Sequence, residues 1–303
     1  MKRKKTGVVG AGWFGRAHAR VYNSISDLQA IVDTNEEQAK AIADTYNINY
    51  YLDFTEMLKN EDLDAVSIAL PPRMIPLVAN DIAKKGIDVL LEKPLGTNID
   101  EIKELLKYSA DVRLTCGFIE RFNPVVERLA RRLPDVGTPI MVSSKRIGRY
   151  PKRFWDIGVL LDLGIHEIDI HRHLFGDAIN ITSKLSFFKK ERYEDAAFIL
   201  LEFSNNVNGL IEVNWLTPTK YRKLMVYGSE GVIEVDYSTQ ELKYIKSSEE
   251  PALYRMEESI QPYAFEEPLL RELKAFLYDK TNPLPLEDGI KSLEIALQCL
   301  KQD

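Results

Sequence analysis

Cysteine is almost absent from this sequence, and long apolar runs are missing altogether. Only two cysteines occur, Cys116 and Cys299, which excludes the disulfide framework that stabilises small secreted domains. No apolar stretch approaches the roughly 20 residues that a membrane-spanning helix needs. With 16 glycines and 14 prolines in 303 residues, a fibrous or low-complexity chain is excluded as well. These absences predict a globular protein of a reducing compartment, and we expect it to be cytoplasmic.

An excess of positive charge is also lacking. Forty basic and 46 acidic residues give a net charge of −6, which argues against a general binder of nucleic acid or of anionic membranes. Residues 1–5 are basic but lead directly into Thr6-Gly-Val-Val-Gly10 instead of a longer apolar segment, so a secretory signal is not expected. A length of 303 residues is twice that of a usual domain of about 150 residues, which favours two domains.

The first part of the chain alternates short apolar runs with segments of helical spacing. The predicted strands are 7–10, 28–33, 65–70, 88–91 and 113–118, and the predicted helices are 13–23, 36–46, 74–84 and 99–110. Continuously apolar strands separated by helices are typical of a parallel sheet that is covered on both faces. Right-handed crossovers then give a doubly wound Rossmann fold, which we assign to residues 1–118.

Farther along the chain, from about residue 135, the pattern changes. Apolar and polar residues alternate in 211–215 and 233–237, the period of a strand with one buried and one wetter face. The sequence Tyr227-Gly-Ser-Glu-Gly231 between such runs predicts a hairpin connection. Helices are predicted at 159–174, 267–278 and 288–300. Residues 119–303 are therefore predicted to form an α+β domain with a largely antiparallel, open sheet and helices on one side.

A glycine motif follows the first predicted strand and opens the first helix. Gly10-Ala-Gly12-Trp-Phe-Gly15 fits G-x-G-x-x-G, in which glycines permit a tight turn, approach to a pyrophosphate, and close helix–strand packing. The helix N-terminus offers free N–H groups to the phosphates. Asp33 closes the second strand, where an acid accepts hydrogen bonds from ribose hydroxyls. Because Asp33 would repel a 2′-phosphate and no arginine follows in 34–36, NAD is predicted over NADP. The alternative is a glycine-rich turn without a ligand.

Two segments carry side chains that are suited to proton transfer. Lys93 follows the strand at 88–91, and ligands of open α/β sheets sit at the carboxyl ends of strands; the alternative is an ordinary surface lysine in a loop. Asp162 and His166 share one face of a predicted helix. A neutral histidine is a general base with a pKa near working pH, and a carboxylate one turn away orients it. The alternative is a helix-surface pair without a catalytic role.

A metal site on the same helix is not expected. Asp162, His166, Asp169 and His173 form a stripe, but it extends over about 16 Å of helix axis, which is too long for one ion. His166 and His171 miss the spacing of H-E-x-x-H by one residue and so lie on different helix faces.

Three further motifs occur along the chain: Leu70-Pro71-Pro72, Glu92-Lys93-Pro94 and Tyr227-Gly-Ser-Glu-Gly-Val-Ile-Glu-Val-Asp236. In this order, together with the glycine motif and the Asp162–His166 pair, they resemble the glucose–fructose oxidoreductase and inositol dehydrogenase family (Gfo/Idh/MocA) over essentially the whole chain. The resemblance implies a Rossmann domain followed by a sheet domain. It also implies NAD(P)-dependent oxidation or reduction of a sugar-like CH–OH group.

The resemblance implies roles for individual residues. His166 would take the hydroxyl proton while hydride passes to the nicotinamide, Lys93 would hydrogen-bond the reacting oxygen, and Asp162 would position the substrate or the base. The implied cofactor-binding residues are Gly10, Gly12, Trp13, Phe14, Gly15, Asp33, Leu70, Pro71, Glu92 and Lys93.

A narrower resemblance, to the UDP-N-acetylglucosamine 3-dehydrogenase-like branch, rests on Gly117-Phe-Ile-Glu120-Arg121-Phe-Asn123-Pro124. Arg121 and Asn123 can contact polar substrate groups; helix capping and a surface ion pair are the alternative. Arg146, Arg149 and Arg153 could receive a pyrophosphate or belong to a solvated loop. We therefore expect a nucleotide-linked sugar oxidised at C3. The predicted substrate-binding residues are Lys93, Arg121, Asn123, Arg149, Asp162 and His166.

Two other functions stay open at this stage. One is a dehydrogenase of a free sugar, a cyclitol or another carbonyl substrate, and the other is a non-catalytic regulator that senses NAD. The presence of Lys93, Asp162 and His166 together disfavours the regulator, which needs no proton-transfer group. Because the predicted helices cover only one face of the second sheet, we expect a second copy to cover the other face or an edge, giving a homodimer or homotetramer.

Overall fold

The computed structural model describes residues 3–151, 156–189, 192–247, 255–260 and 265–301. The chain divides into two compact units. The first comprises the chain up to Phe118 together with Leu269–Ile290, and the second comprises Ile119–Pro268 and the chain from Lys291 onward. Among the described residues, no helix combines the length and the apolar character needed to cross a bilayer.

A parallel six-stranded sheet forms the centre of the first unit, in the order β3-β2-β1-β4-β5-β6. Its strands are β1 Lys5–Val9, β2 Asp27–Val32, β3 Asn49–Tyr51, β4 Ala65–Ile68, β5 Asp88–Glu92 and β6 Leu114–Gly117. The helices between them are α1 Trp13–Ile25, α2 Glu36–Tyr46, α3 Phe54–Asn60, α4 Ile75–Ala83 and α5 Ile99–Lys103. Every residue of β4 and β6 is buried, as expected for strands covered on both faces. The predicted doubly wound fold is confirmed.

Two elements of this unit, β3 and α3, were not predicted from the sequence, and one predicted helix is too long. Strand β3 is a three-residue edge strand whose tyrosines are only half-buried, so it carries no apolar run. Helix α3 follows it, with the side chain of Asp53 capping its first turn. The helix predicted at 99–110 is α-helical only to Lys103 and continues as a 3₁₀ turn, Glu104–Tyr108.

The candidate residues of the first unit lie at the carboxyl ends of its strands. The chain runs from β1 outward through β2 and β3, then returns to β4 on the other side of β1. Such a reversal leaves a crevice at the carboxyl ends of the two central strands, where α/β proteins bind their ligands. Because β1, β2, β4 and β5 are parallel, the segments that follow them all leave the sheet at this carboxyl end.

An eight-stranded sheet forms the second unit, in the order β14-β13-β12-β11-β7-β10-β9-β8. Its strands are β7 Pro139–Arg149, β8 Ala178–Ser186, β9 Ala196–Phe203, β10 Asn208–Asn214, β11 Leu216–Gly228, β12 Gly231–Asp236, β13 Glu241–Lys246 and β14 Arg255–Ile260. All neighbours are antiparallel except β7 and β10. The largely antiparallel sheet and the hairpin between β11 and β12 agree with the prediction.

Helices α6 (Pro124–Arg132) and α7 (Ile165–Phe175) pack on the second sheet, α6 against β12 and β13 and α7 against β7 and β10. The core of this unit consists of alternate strand residues that are buried, among them Ile211, Val213, Leu224, Val226 and Ile233. The helix predicted at 159–174 has the expected extent, but it opens with a π turn at Leu160–Gly164. It ends at Gly176, whose φ of +87° favours glycine.

Residues 269–290 belong to the first unit, whereas the sequence analysis assigned them to the second domain. They contain α8 (Pro268–Tyr278) and the beginning of α9 (Leu286–Cys299). Backbone contacts that a hydropathy pattern does not reveal explain the difference. Arg113 donates to the carbonyl oxygens of Phe276 at 2.5 Å and Asp279 at 2.7 Å, and Asn282 donates to the Leu114 carbonyl at 2.8 Å.

Candidate active site

Three glycines shape a backbone cradle after β1. Gly10 has a φ of +106°, and a Cβ built there would lie 2.3 Å from the carbonyl oxygen of Ala69. At Gly15 a Cβ would lie 1.7 Å from the Gly10 carbonyl oxygen, so no side chain fits. Gly12 is the N-cap of α1 and supplies no side-chain cap, which leaves the first N–H groups of the helix to an anion. The cradle therefore fits the pyrophosphate of NAD.

Asp33 lies directly beside the cradle and is fixed by backbone groups. Its Oδ2 accepts a hydrogen bond from the Ala11 N–H at 2.7 Å, and its Oδ1 accepts one from the Asn35 N–H at 2.8 Å. A carboxylate oxygen accepts more than one hydrogen bond, so ribose hydroxyls can still be bound. The residues at 34–36 are Thr, Asn and Glu, and none of them offers positive charge to a 2′-phosphate.

The other predicted cofactor residues flank this cradle. Leu70 Cδ2 would lie 3.4 Å from a Cβ at Gly10, and Pro71 precedes the 3₁₀ turn Pro72–Met74. Trp13 and Phe14 form the first turn of α1 with their rings stacked, at a centroid distance of 5.5 Å. The Trp13 side chain is 79% exposed. An exposed indole next to the glycine turn offers a flat apolar surface to a ligand.

Glu92 and Lys93 stand at the carboxyl end of β5, but the two side chains differ in accessibility. Lys93 is half-buried. Glu92 is buried, its Oε1 lies 2.9 Å from His18 Nε2, and its Oε2 accepts from the Lys93 N–H at 3.3 Å. Gly117 makes room for this carboxylate, since a Cβ there would lie 2.8 Å from Glu92 Cδ.

Both oxygens of Glu92 have partners inside the first unit, where the side chain joins α1 to the residue that precedes Pro94. A direct contact of Glu92 with the cofactor stays a prediction. The contact of His18 with Glu92 was not predicted from the sequence. The helical spacing could have indicated that His18 is buried, because it belongs to the face of α1 that also contains Gly15, Ala19 and Tyr22.

Asp162 and His166 lie in successive turns of one continuous helical segment of the second unit. Asp162 is half-buried within the π turn, and His166, 7% exposed, lies in the first turn of α7. π turns inside helices occur often at functional sites. The described residues contain no group of three His, Cys, Asp or Glu side chains arranged to hold a metal ion.

Two residues that were predicted to bind substrate are bonded within the second unit. Arg121 donates from Nε and Nη2 to the two oxygens of Asp169, both at 2.7 Å. Asn123 is the N-cap of α6, its Oδ1 accepting from the Val125 N–H, and its Nδ2 donates to the Tyr237 carbonyl oxygen. Their contact with substrate stays a prediction, and the helix-capping alternative for Asn123 is what the structure shows. The Arg121 pair is a buried one, since Asp169 is 1% exposed, so the surface-pair alternative needs correcting.

Arg146 is likewise unavailable to a substrate phosphate, because it is 1% exposed between two carboxylates. It donates to Glu167 Oε1 at 2.6 Å and to Glu120 Oε1 at 2.8 Å. The sequence alone does not show that packing brings Glu167 and Glu120 against Arg146. For this reason Arg146 was predicted to contact a substrate phosphate. Arg149 is exposed at the end of β7. Arg153 lies outside the described residues.

The charges around Arg146 hold α7 on the sheet. Burial raises the pKa of Glu120, but Arg146 and Arg222 lower it by more, so the pKa ends below its usual value and the carboxyl stays ionised. Burial lowers the pKa of Arg146, and Glu120 and Glu167 reverse that shift, leaving it raised. Glu167 directly follows His166, so this ion pair fixes the turn that carries the candidate base.

A strand–glycine–helix cradle with a carboxylate after the second strand is typical of NAD-binding domains, and the family match given next makes this chain an NAD-dependent oxidoreductase. The comparison with known families specifies it further. Residues 4–118 match "Oxidoreductase family, NAD-binding Rossmann fold", and residues 135–234 match "GFO/IDH/MocA C-terminal domain". The chain belongs to the Gfo/Idh/MocA family.

Relatives with curated names share about a quarter of the residues. The chain is 25% identical to UDP-N-acetylglucosamine 3-dehydrogenase of Acidithiobacillus ferrooxidans over 306 residues, covering 99% of this chain and 96% of the relative. It is 26% identical to myo-inositol 2-dehydrogenase of Thermotoga maritima over 250 residues, covering 77% and 75%.

Solved structures of the family share the fold. The crystallised UDP-N-acetylglucosamine 3-dehydrogenase of A. ferrooxidans superposes with a TM-score of 0.90 at 24% identity, covering 100% of this chain and 98% of that one. Levoglucosan dehydrogenase in complex with NADH and levoglucosan superposes with a TM-score of 0.87 at 19% identity, covering 99% and 96%.

Proposed function

We propose that this protein transfers hydride between NAD and a ring carbon of a nucleotide-linked sugar, with a UDP-N-acetylhexosamine oxidised at C3 as the specific substrate. The observation that carries the dehydrogenase proposal is that a cradle fitting NAD occurs in one chain with Lys93, Asp162 and His166. The substrate class is supported by 25% identity over 99% of the chain to a UDP-N-acetylglucosamine 3-dehydrogenase.

The three side chains divide the chemistry between them in this proposal. NAD, when bound, accepts the hydride. His166 takes the proton of the reacting hydroxyl as a general base. Lys93 donates a hydrogen bond to the same oxygen and stabilises the negative charge that develops there. Asp162 orients the substrate or the imidazole, and the π turn that carries it gives that carboxylate a defined position relative to α7.

A dehydrogenase of a free sugar or cyclitol is the second candidate. It is favoured by the 26% identity to myo-inositol 2-dehydrogenase, whose substrate carries no phosphate. A non-catalytic NAD sensor is the third, from a different class. The sensor differs from both enzymes by a simple observation, because it would bind NAD without producing NADH from any sugar.

A substrate panel tests these candidates. NADH absorbance is followed with UDP-N-acetylglucosamine, UDP-N-acetylgalactosamine, free N-acetylglucosamine, free pentoses and myo-inositol, with His166→Ala as the inactive control. We expect a UDP-N-acetylhexosamine to reduce NAD and free N-acetylglucosamine to be far poorer. Equal activity on the free sugar would contradict the nucleotide-sugar proposal and leave the dehydrogenase intact. No NADH from any substrate would favour the sensor.

A further inference from the structure

An open cleft lies in the second unit between the end of β7, the start of β11 and the segment at 187–189. Its volume is about 610 Å³, within the range of small-molecule sites. Its lining includes Arg149, Tyr150, Phe188, Lys189, Trp215 and Leu216. Glu92, Asp169 and the other residues of the buried ion pairs described above do not line this cleft.

One wall of the cleft is a bulge in β11. Leu216 pairs with Arg149 and Tyr221 pairs with Ile147, so the residues at 217–220 stand opposite the single residue Gly148. Arg149 Nε donates to the Pro218 carbonyl oxygen, and Thr217 Oγ1 donates to the Thr219 carbonyl at 2.8 Å. Bulges are common next to active sites, where they redirect side chains. These bonds make the wall a fixed structure.

Two adjacent buried acids tie the other walls to the helix that carries Asp162 and His166. Asp195 Oδ2 accepts from the N–H groups of Phe188 at 2.7 Å and Lys189 at 2.6 Å, and the Asp195 carbonyl accepts from the Trp215 N–H at 3.0 Å. The neighbouring Glu194 accepts from the Leu160 N–H at 2.9 Å, at the start of the π turn. The cleft is therefore rigidly connected to the beginning of the candidate catalytic helix.

The lining combines aromatic rings with cations. Tyr150 and Trp215 meet edge to face at a centroid distance of 5.4 Å, and Lys189 Nζ lies 4.4 Å from the Tyr150 ring centroid. Phe188 is 78% exposed, so its ring is open to a partner. Arg149 adds a planar guanidinium, which binds phosphate through two parallel hydrogen bonds. Nucleobases stack on such rings.

We propose that this cleft binds the nucleoside diphosphate portion of the substrate, with the base against Phe188 and the neighbouring rings and the diphosphate on Arg149 and Lys189. The proposal rests on the proposed function in that it supplies the nucleotide subsite of the same reaction. Charge complementarity selects this occupant: two cations, Arg149 and Lys189, line one aromatic cleft of a chain whose net charge is −6. A second copy of the same acidic chain would gain less from such a surface.

Direct binding of uridine diphosphate is the first test, and it needs no turnover. Calorimetric titration of the whole protein compares wild type with Arg149→Ala and Phe188→Ala. The matched control is Arg131→Ala, which removes an exposed cation of α6 paired to Glu127. We expect wild type and the control to bind alike and both cleft variants to bind at least about tenfold more weakly. No binding to wild type, or equal binding to the variants, overturns the proposal.

Kinetics separate failure of the subsite from failure of the proposed function. If both hold, the cleft variants raise KM for the UDP-sugar at least about tenfold and leave KM for NAD unchanged. Turnover of the UDP-sugar with unchanged KM in the variants overturns the subsite and leaves the function. Uridine diphosphate binding that the variants weaken, without turnover of any UDP-sugar, supports the subsite and overturns the function. A variant-induced change in particle mass by light scattering makes the cleft a subunit interface and overturns the proposal.

Discussion

A single carboxylate at the end of β2, Asp33, is predicted to set the choice between NAD and NADP. The Asp33 carboxylate is oriented by hydrogen bonds from the Ala11 and Asn35 N–H groups. We predict that NAD binds at least about tenfold more tightly than NADP, a difference of ~1.4 kcal/mol. Asp33→Ser should narrow this gap, whereas Glu36→Gln, which removes a carboxylate in the first turn of α2, should leave it. Calorimetry that finds NADP binding as tight as NAD in wild type would contradict the prediction.

The candidate catalytic residues can be separated from the cofactor cradle by measuring binding and turnover independently. Lys93→Ala and His166→Ala should each lower kcat by roughly 10²-fold or more, the usual scale for lost proton transfer or charge stabilisation. NAD affinity should change much less than kcat, since neither side chain belongs to the glycine turn. Lys84→Ala, an exposed lysine after α4, is the control for loss of positive charge. Near-normal turnover in either variant removes that residue from the mechanism.

A buried histidine on α7 makes the stability of the fold depend on pH. Both ring nitrogens of His171 are buried without a hydrogen-bond partner in the described part of the structure, and a Cβ at Gly209 would lie 2.8 Å from its Nδ1. Burial lowers the pKa of His171 from 6.5 to about 3. The folded protein therefore keeps the imidazole neutral, while the unfolded chain binds a proton below pH 6.5.

Because the pKa of His171 is lower in the folded protein than in the unfolded chain, the fold loses stability as the pH falls. A group whose pKa is lowered on folding contributes full stability above its unfolded pKa, and the contribution is lost as pH falls. Between pH 6.5 and about 3, His171 should reduce the free energy of unfolding by about 1.4 kcal/mol per pH unit. His171→Leu should flatten this part of the curve of Tm against pH, and exposed His173→Leu should not. Parallel curves for wild type and His171→Leu would refute the prediction.

At the scale of elements, α7 is attached to its surroundings by ion pairs as well as by its buried apolar residues. Arg146 bonds Glu167 and Arg121 bonds Asp169, and these acids stand on either side of Ile168 shortly after His166. Removing one partner of a buried pair leaves an uncompensated charge. The arginines that sequence reasoning assigned to the substrate thus hold the helix that presents the candidate base.

Arg121→Ala should therefore destabilise the fold instead of mainly raising KM for the substrate. We expect a loss of about 3–5 kcal/mol in the free energy of unfolding, measured by denaturant titration. The control, Arg131→Ala, breaks an exposed pair in α6 and should change stability by less than about 1 kcal/mol. An Arg121→Ala protein with wild-type stability and a raised KM would support the original substrate-binding prediction.

Local sequence patterns predicted those elements that are stabilised by interactions between residues close together in the chain. The strand–glycine–helix motif and Asp33 could be predicted because backbone conformation and strand order bring them together in any sheet of this type. The partners of Arg121 and Arg146 could not, since Asp169 and Glu167 lie far along the chain and meet them only after the sheet and α7 have packed. The same reason explains residues 269–290, which are held by backbone carbonyls that have no sequence signature.

At the scale of the whole molecule, the second sheet has one face without a helix among the described residues. Its outward side chains include Leu200 and Leu210, which are paired across β9 and β10 and are 52% and 37% exposed, and Phe198, which is 47% exposed. Ion pairs border these residues, Lys145 with Glu212 and Lys223 with Glu234. Contiguous apolar surface rimmed by charges is typical of protein–protein interfaces.

We predict that two copies of the chain associate through this face, because a second identical sheet offers both the apolar surface and complementary charges of a two-fold contact. Light scattering of wild type at micromolar concentration should report a particle at least twice the 34.7 kDa of one chain. Leu200→Glu places a charge among these exposed apolar side chains of β9 and β10 and should shift the protein toward the monomer. Leu77→Glu changes an equally exposed leucine of α4 in the first unit and should not. A wild-type particle of one chain's mass excludes the association, and an unchanged oligomer in Leu200→Glu places the contact on a different surface.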